Sequence, residues 1–325
     1  ASSIVEVAPG ELLATWFSGT EENAPDVAVF VARCVGAGRR AGVWSDPVEV
    51  VPPRARGPSP CSRALQVRCK NAFESVWNPV LFHLSSARGE TLLFYKIGLS
   101  PSVWRGYLRR SRDGGRTWGA EEALPAGVAG PAKNKPILLP SGRILAGAST
   151  EDVGPPTATG GRARDWKMWT DVSDDGGVSW ERHGPVPFPG NAIQPALFLG
   201  SDGQPRMLAR SATDLGPDGN PADPYRDPKH RKAGVHCPCT FPYLIGVVLP
   251  QVMVRPGRKY VLQSRAEDAQ GERWEPATKT ILPCPNSGLD AVKLSDGRVL
   301  VAYNDAWDDD AKDAKECANF RCRIA

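Results

Sequence analysis

No apolar run in this 325-residue chain is long enough to cross a bilayer as a helix. The longest, residues 241–254, falls short of the ~20 residues a spanning helix needs and is interrupted by Pro242 and Pro250. Charge of one sign is missing too. The 40 basic and 36 acidic residues are interspersed, and a net charge of +4 predicts no nucleic-acid or membrane partner. No Gly-x-Gly-x-x-Gly follows a strand-like segment, no phosphate loop occurs, and no Ser-His-Asp arrangement is apparent. These absences remove the commonest nucleotide and acyl-transfer sites. His83 and His183 stand alone and read as structural residues. Among 8 cysteines no C-x-x-C pair exists. Cys237-Pro238-Cys239, beside His236, lacks the second pair that a structural zinc site requires, so neither metal nor cofactor is expected. The thiols read as free, with Cys317 and Cys322 best placed to pair in an oxidising compartment. Helical periodicity is nearly absent, and only residues 306–318 have the composition of a short helix. The chain opens on Ala1 with residues 3–7 already strand-like, and the expectation is a processed chain or a fragment.

What is present is turn chemistry. The 33 glycines and 31 prolines follow no short period and read as punctuation between strands. Ser111-Arg112-Asp113-Gly114-Gly115-Arg116-Thr117-Trp118 recurs as Ser173-Asp174-Asp175-Gly176-Gly177-Val178-Ser179-Trp180. In each octapeptide Asp can accept backbone N–H groups two residues on, and Gly-Gly supplies positive φ at no steric cost. The Trp then begins the next strand with a large apolar surface.

A longer unit surrounds these turns. Strand pairs with a Gly turn between them are predicted at 3–7 and 11–17, 79–84 and 91–97, 136–139 and 143–149, 195–199 and 205–211, and 289–294 and 298–304. A third strand follows at 27–33, 106–110, 166–172 or 259–264, and a fourth opens on Trp44, Trp118, Trp180 or Trp274. The turns at 34–44 and 267–274 read as degraded copies. Insertions at about 52–75 and 212–258 interrupt the rhythm, the second containing a basic run at 226–232. Four antiparallel strands repeated about five times predict an all-β propeller forming a single domain over 1–325; a β-sandwich would not explain the recurring Gly and Trp.

The octapeptides resemble the Asp-box, or bacterial neuraminidase repeat, of the sialidase superfamily. The stretches 1–6, 10–17, 24–29, 78–82, 130–137, 193–196 and 286–292 resemble the predicted-neuraminidase branch of that group. The resemblance implies a six-bladed propeller, of which about five blades are encoded here. The last blade stops at Ala325 in its third strand, so the blade where sialidases carry a Tyr nucleophile would be missing, and the isolated chain is expected to aggregate through an open edge.

Propeller geometry puts the Asp-box turns at one end of each blade, and the starts of the inner strands with the second loops at the other. Asp113 and Asp175 are therefore structural, and ligands are expected at the opposite end. The inner-strand starts contribute Asn78, Lys133, Asn134, Lys135, Gln194, Asn286, Ser287 and Asp290. The second loops contribute Glu21, Glu22, Asp26, Lys96, Trp104, Glu151, Asp152, Arg210 and Asp214. Acids to move protons, cations to hold a carboxylate, amides for hydroxyls and an indole for stacking are what a sugar site needs. By the resemblance, Asp26 occupies the place of the general acid, with a pKa expected to be raised by burial. Arg210 matches a position where sialidases present an Arg to the substrate carboxylate; Glu151 is the candidate base or activator. Lys133 and Lys135 would help hold the acid group. The function expected is a sialidase-like exo-glycoside hydrolase on a terminal acidic sugar, acting as a monomer. The alternative is a non-catalytic carbohydrate-binding or scaffold propeller.

Overall fold

The structure, a computed structural model, describes residues 2–37, 42–55, 73–84, 89–156, 162–213, 259–284, 286–304 and 320–324. Asp214, the Cys-Pro-Cys segment, the apolar run at 241–254 and the helix expected at 306–318 lie outside the described residues. Every regular element described is a strand apart from a 3-10 turn at Pro101–Val103. The chain divides into two compact units, Ala1–Val153 with Thr170–His183, and Gly154–Trp169 with Gly184–Ala325.

Strands pair antiparallel in chain order, sheet after sheet. The first sheet is β1 (Ser2–Ala8), β2 (Glu11–Ser18), β3 (Ala28–Val35) and β4 (Val43–Trp44), with β5 (Val48–Val51) also on β3. A ribbon of β6 (Arg54–Ala55) and β7 (Phe73–Glu74) lies within the 52–75 insertion, near its two ends. The second sheet is β8 (Val76–Leu84), β9 (Glu90–Ile97), β10 (Arg105–Ser111) and β11 (Glu122–Ala123). The third is β12 (Ile137–Leu138), β13 (Ile144–Pro156), β14 (Arg162–Ser173) and β15 (Glu181–His183). The fourth is β16 (Ala192–Leu199), β17 (Pro205–Ser211), β18 (Tyr260–Arg265) and β19 (Thr278–Pro283). The fifth holds β20 (Asp290–Lys293), β21 (Val299–Asn304) and β22 (Phe320–Ile324).

Two strand limits differ from expectation. β13 and β14 run well past residues 149 and 166, so Glu151 and Asp152 lie in a strand and not in a loop. The fourth strands begin several residues after Trp118 and Trp274.

Burial explains the stacking. In β9 every residue is buried, and the two side-chain rows go to different cores. Leu93, Tyr95 and Ile97 join Leu13, Val31 and Val51 of the first sheet, while Leu92 and Phe94 join Ile144 and Trp180 of the third. A sheet covered on both faces reads as a near-continuous apolar run, which Thr-Leu-Leu-Phe-Tyr is; β1, with one covered face, alternates instead. In the second unit, Ala196, Leu208 and Val261 pack with Leu289, Val301 and Tyr303 in the same manner.

The Asp-box turns form as their chemistry predicts. Asp175 accepts the Val178 N–H (3.0 Å), the Ser179 N–H (2.9 Å) and the Ser173 and Ser179 hydroxyls (2.8 and 2.6 Å). Gly177 returns its N–H to Ser173 Oγ at 2.7 Å, and the Trp180 indole donates to the Gly177 carbonyl at 3.0 Å. The turn at 267–274 is not degraded but lengthened by one residue. Asp268 accepts the N–H groups of Gln270, Glu272 and Arg273 at 3.0–3.1 Å, and Trp274 donates to Gly271 at 3.0 Å.

An ion pair docks each box of the first unit onto the preceding sheet. Arg110 pairs with Glu90 at 3.0 Å and donates to the Gly176 and Gly177 carbonyls at 2.9 and 2.6 Å. Arg33 pairs with Glu11 at 2.9 Å and donates to the Gly114 carbonyl. Arg33 stands at the far end of β3 from Asp26, seven residues away, or roughly 23 Å along a strand. Within this unit, Asp113 therefore lies at the end opposite Asp26.

Candidate functional site

Four non-glycine residues of the described chain have left-handed backbone: Asn23 (φ 69°), Asn78 (40°), Gln194 (57°) and Asn286 (55°). Asn78 and Gln194 are the third residues of β8 and β16, at the lead-ins to their regular pairing, Asn286 precedes β20, and Asn23 lies in the loop that carries Asp26. Such conformations cost about 1–3 kcal/mol each and collect where backbone geometry serves a purpose. The local cause is partly legible. Pro79 and Pro195 follow Asn78 and Gln194, supply no N–H to the ladder, and coincide with register shifts between Trp77 and Val80 and between Ile193 and Ala196.

The first unit builds a buried polar cluster behind these lead-ins. Lys96 has no exposed surface. Its ammonium donates to the carbonyls of Pro131, Ala132 (3.4 Å) and Asn78 (3.5 Å), while Asn78 Nδ2 donates to the Ala132 carbonyl at 3.1 Å. Burial pushes the Lys96 pKa down to about 7, opposed by the charge of Asp171. Asp171 is itself fully buried, holds Arg182 at 2.8 Å and accepts the Gly130 N–H at 3.0 Å. Burial pushes its carboxyl up, and Arg182 works against that. The expectation that Lys96 faces the rim is corrected: its stem passes inside the sheet because irregular lead-in carbonyls need a donor. Asn134 is also buried, at 2 % exposure. Lys133 reaches Asn134 Oδ1 at 3.3 Å, and Lys135 donates to the Ile4 carbonyl at 3.2 Å.

Trp104 is half-buried and packs on Trp77, with centroids 5.3 Å apart and planes at 44°. Trp77 also meets Phe17 at 6.3 Å and donates its indole N–H to Gly98 at 2.7 Å. The indole nitrogen of Trp104 is buried without a hydrogen-bond partner.

Asp26 departs from expectation. It is exposed, and its carboxylate accepts the Thr20 N–H at 2.9 Å together with the Thr20 hydroxyl. Those bonds hold its pKa below the usual carboxylate value, so the predicted upward shift by burial is absent. Glu22 is exposed in the same loop, and Glu151 is half-buried in β13.

The second unit builds its own cluster. Arg210 donates from Nε to Asn286 Oδ1 at 2.8 Å and from a terminal nitrogen to Gln194 Oε1 at 3.3 Å. Two left-handed residues thus hold one guanidinium. Cys284 lies beside it, its thiol pushed up by burial and directed at the Ser211 and Ser287 carbonyls (3.9 and 3.8 Å). Asp290 accepts the N–H of Ala291 at 2.8 Å. The register repeats the first unit: Trp77, before Asn78, pairs with Lys96, and Ile193, before Gln194, pairs with Arg210.

Sequence reasoning missed Asn23, Trp77, Asp171, Arg182 and Cys284. The Asn78-Pro79 and Gln194-Pro195 dipeptides carried a signal for backbone irregularity. Nothing local marked Asp171 as buried. A cavity of about 410 Å³ lies at the box end instead, lined by Leu13, Val31, Arg109, Arg116 and Trp118, and shares no residue with these clusters.

Repeated four-stranded antiparallel sheets with an Asp-box turn define a β-propeller built from sialidase-like blades. The BNR repeat-like domain model matches residues 10–217 and 249–320, so the chain belongs to that family. A protein of unknown function from Dyadobacter fermentans is similar over 100% of this chain and 82% of its own, with TM-score 0.58 and 14% identity. The NanB sialidase of Streptococcus pneumoniae is similar over 94% of this chain, with TM-score 0.58 and 11% identity. This chain spans 56% of that enzyme's length. An α-L-arabinanase from Penicillium chrysogenum, complexed with arabinobiose, matches over 94% of this chain and 75% of its own, with TM-score 0.52 and 16% identity. No curated protein matches the sequence.

Proposed function

We propose that this chain is the propeller of a sialidase-like exo-glycoside hydrolase acting on a terminal acidic sugar. The observation that carries the reading is Arg210, held by Asn286 and Gln194 on strained backbone beside an inner-strand start. An oriented planar fork is what carboxylate recognition needs. In this reading Asp26 protonates the leaving glycosidic oxygen and Glu151 activates the nucleophile. Lys133 and Lys135 are further candidate cations for an acid group; Asn78, Asn134, Gln194, Asn286 and Asp290 are candidate polar contacts, and Trp104 offers a ring face. Glu22 borders the Asp26 loop. The propeller is a single domain of the six-bladed type and works as a monomer.

Two observations favour the second reading, a glycan-binding propeller without turnover. Asp26 is exposed with a lowered pKa, unlike a poised acid, and Lys96 is committed to backbone carbonyls.

The test is release of methylumbelliferone from acidic-sugar glycosides by the 325-residue chain, with an arabinoside as the neutral comparison. Turnover of the acidic glycosides, reduced about 100-fold or more in Asp26→Asn, supports hydrolysis. Binding of those glycosides without turnover selects the second reading.

A further inference from the structure

The segment 130–132 is gripped from two directions. On one side the buried Lys96 ammonium meets the Pro131 and Ala132 carbonyls, and Asn78 adds a second donor to Ala132. On the other the buried Asp171 carboxylate accepts the Gly130 N–H, and Arg182 fixes that carboxylate with two bonds of 2.8 and 3.1 Å. The next three residues are Lys133, Asn134 and Lys135. We propose that Lys96 is a positioning residue, whose ammonium sets the backbone that presents this polar triplet to a ligand.

The chemistry favours a cation here over any neutral side chain. Carbonyls at a bulge or outside a strand ladder need other partners, and a buried unpaired carbonyl is costly. Ammonium carries three donors, and three carbonyls from two lead-ins, those of Asn78, Pro131 and Ala132, lie around it. Methionine would match the stem and leave all three without this partner. In the second unit, Arg210 stands at the matching register and reaches the next lead-in, at Asn286. The device is therefore repeated, with an amide in place of carbonyls.

The role for the triplet in ligand binding rests on the functional reading above, so two measurements are needed. Amide hydrogen exchange in Lys96→Met should rise tenfold or more at Gly130 and Ala132, whose N–H groups bond Asp171 and Gly147. Amides of Phe94 and Leu108, in the paired core of β9 and β10, should keep their protection. If Lys96→Met does not fold, Asn78→Gly gives the same comparison, because glycine keeps the left-handed backbone and removes one donor to Ala132. Unchanged exchange at 130–132, or exchange rising in step with the core, overturns the proposal. In the glycoside assay Lys96→Met should raise KM about tenfold with kcat nearly unchanged; an equal loss in kcat overturns the positioning role. A wild-type chain without turnover refutes the hydrolase reading alone, and hydrogen exchange then decides the role of Lys96 by itself.

Discussion

At Asp175 four donors converge on one carboxylate, and the energetics can be read from them. Burial pushes its pKa up, but the bonds from Ser179, Ser173 and Val178 outweigh it and hold the group at about 2. A carboxyl depressed on folding stabilises the protein above its unfolded pKa of about 4 and loses that contribution as pH falls through the folded value. Wild-type stability should therefore drop between pH 4 and pH 2, and Asp175→Asn should show a shallower slope there. At neutral pH the same substitution should cost about 1 kcal/mol, because solvent screens the exposed carboxylate, read as a lower urea midpoint with unchanged slope.

How much of this was legible depends on how local each cause is. The role of Asp113 and Asp175 follows from neighbours within five residues, and sequence alone assigned it. Lys96 meets partners some 35 positions away, and no periodicity distinguishes a buried ammonium from one at a rim. Asp26 illustrates the same limit. Its place in the loop was readable, while the Thr20 bonds that lower its pKa depend on how the loop folds back.

At the scale of elements, each turn glycine has a different task. Gly115 has φ 85°, and an added Cβ would strike the side chain of Leu13, which is 1 % exposed in the first core. Gly142 has φ 89° with nothing within 4 Å of such a Cβ. Gly142→Ala should cost about 1–2 kcal/mol from backbone strain alone. Gly115→Ala should cost about 1–3 kcal/mol more, through overpacking, and equal losses in denaturant melts would contradict this account. The lengthened turn at Asp268 shows why one box went unread: one extra residue before Gly271 hides the spacing but leaves the hydrogen bonds intact. The long β13 and β14 were missed for another reason, since 150–165 lacks the apolar alternation that marks a buried strand.

For the whole molecule, repeat logic carried the fold. Gly turns, Trp closures and doubly covered inner strands are local signals that recur, and repetition makes weak signals add. Family membership and the likeness to sialidases agree with that reading. The blade count and the ligand do not follow from repetition, because they depend on where the ring closes and on which side chains remain facing outward. The separation of roles between the two ends is the central claim. It is tested most directly by comparing Arg210→Met with Asp175→Asn for binding of an acidic glycoside by calorimetry, alongside thermal melts. The account predicts that Arg210→Met weakens binding about tenfold or more with little change in melting temperature, while Asp175→Asn melts earlier and binds normally. Normal binding by Arg210→Met, or lost binding by a folded Asp175→Asn, would contradict it.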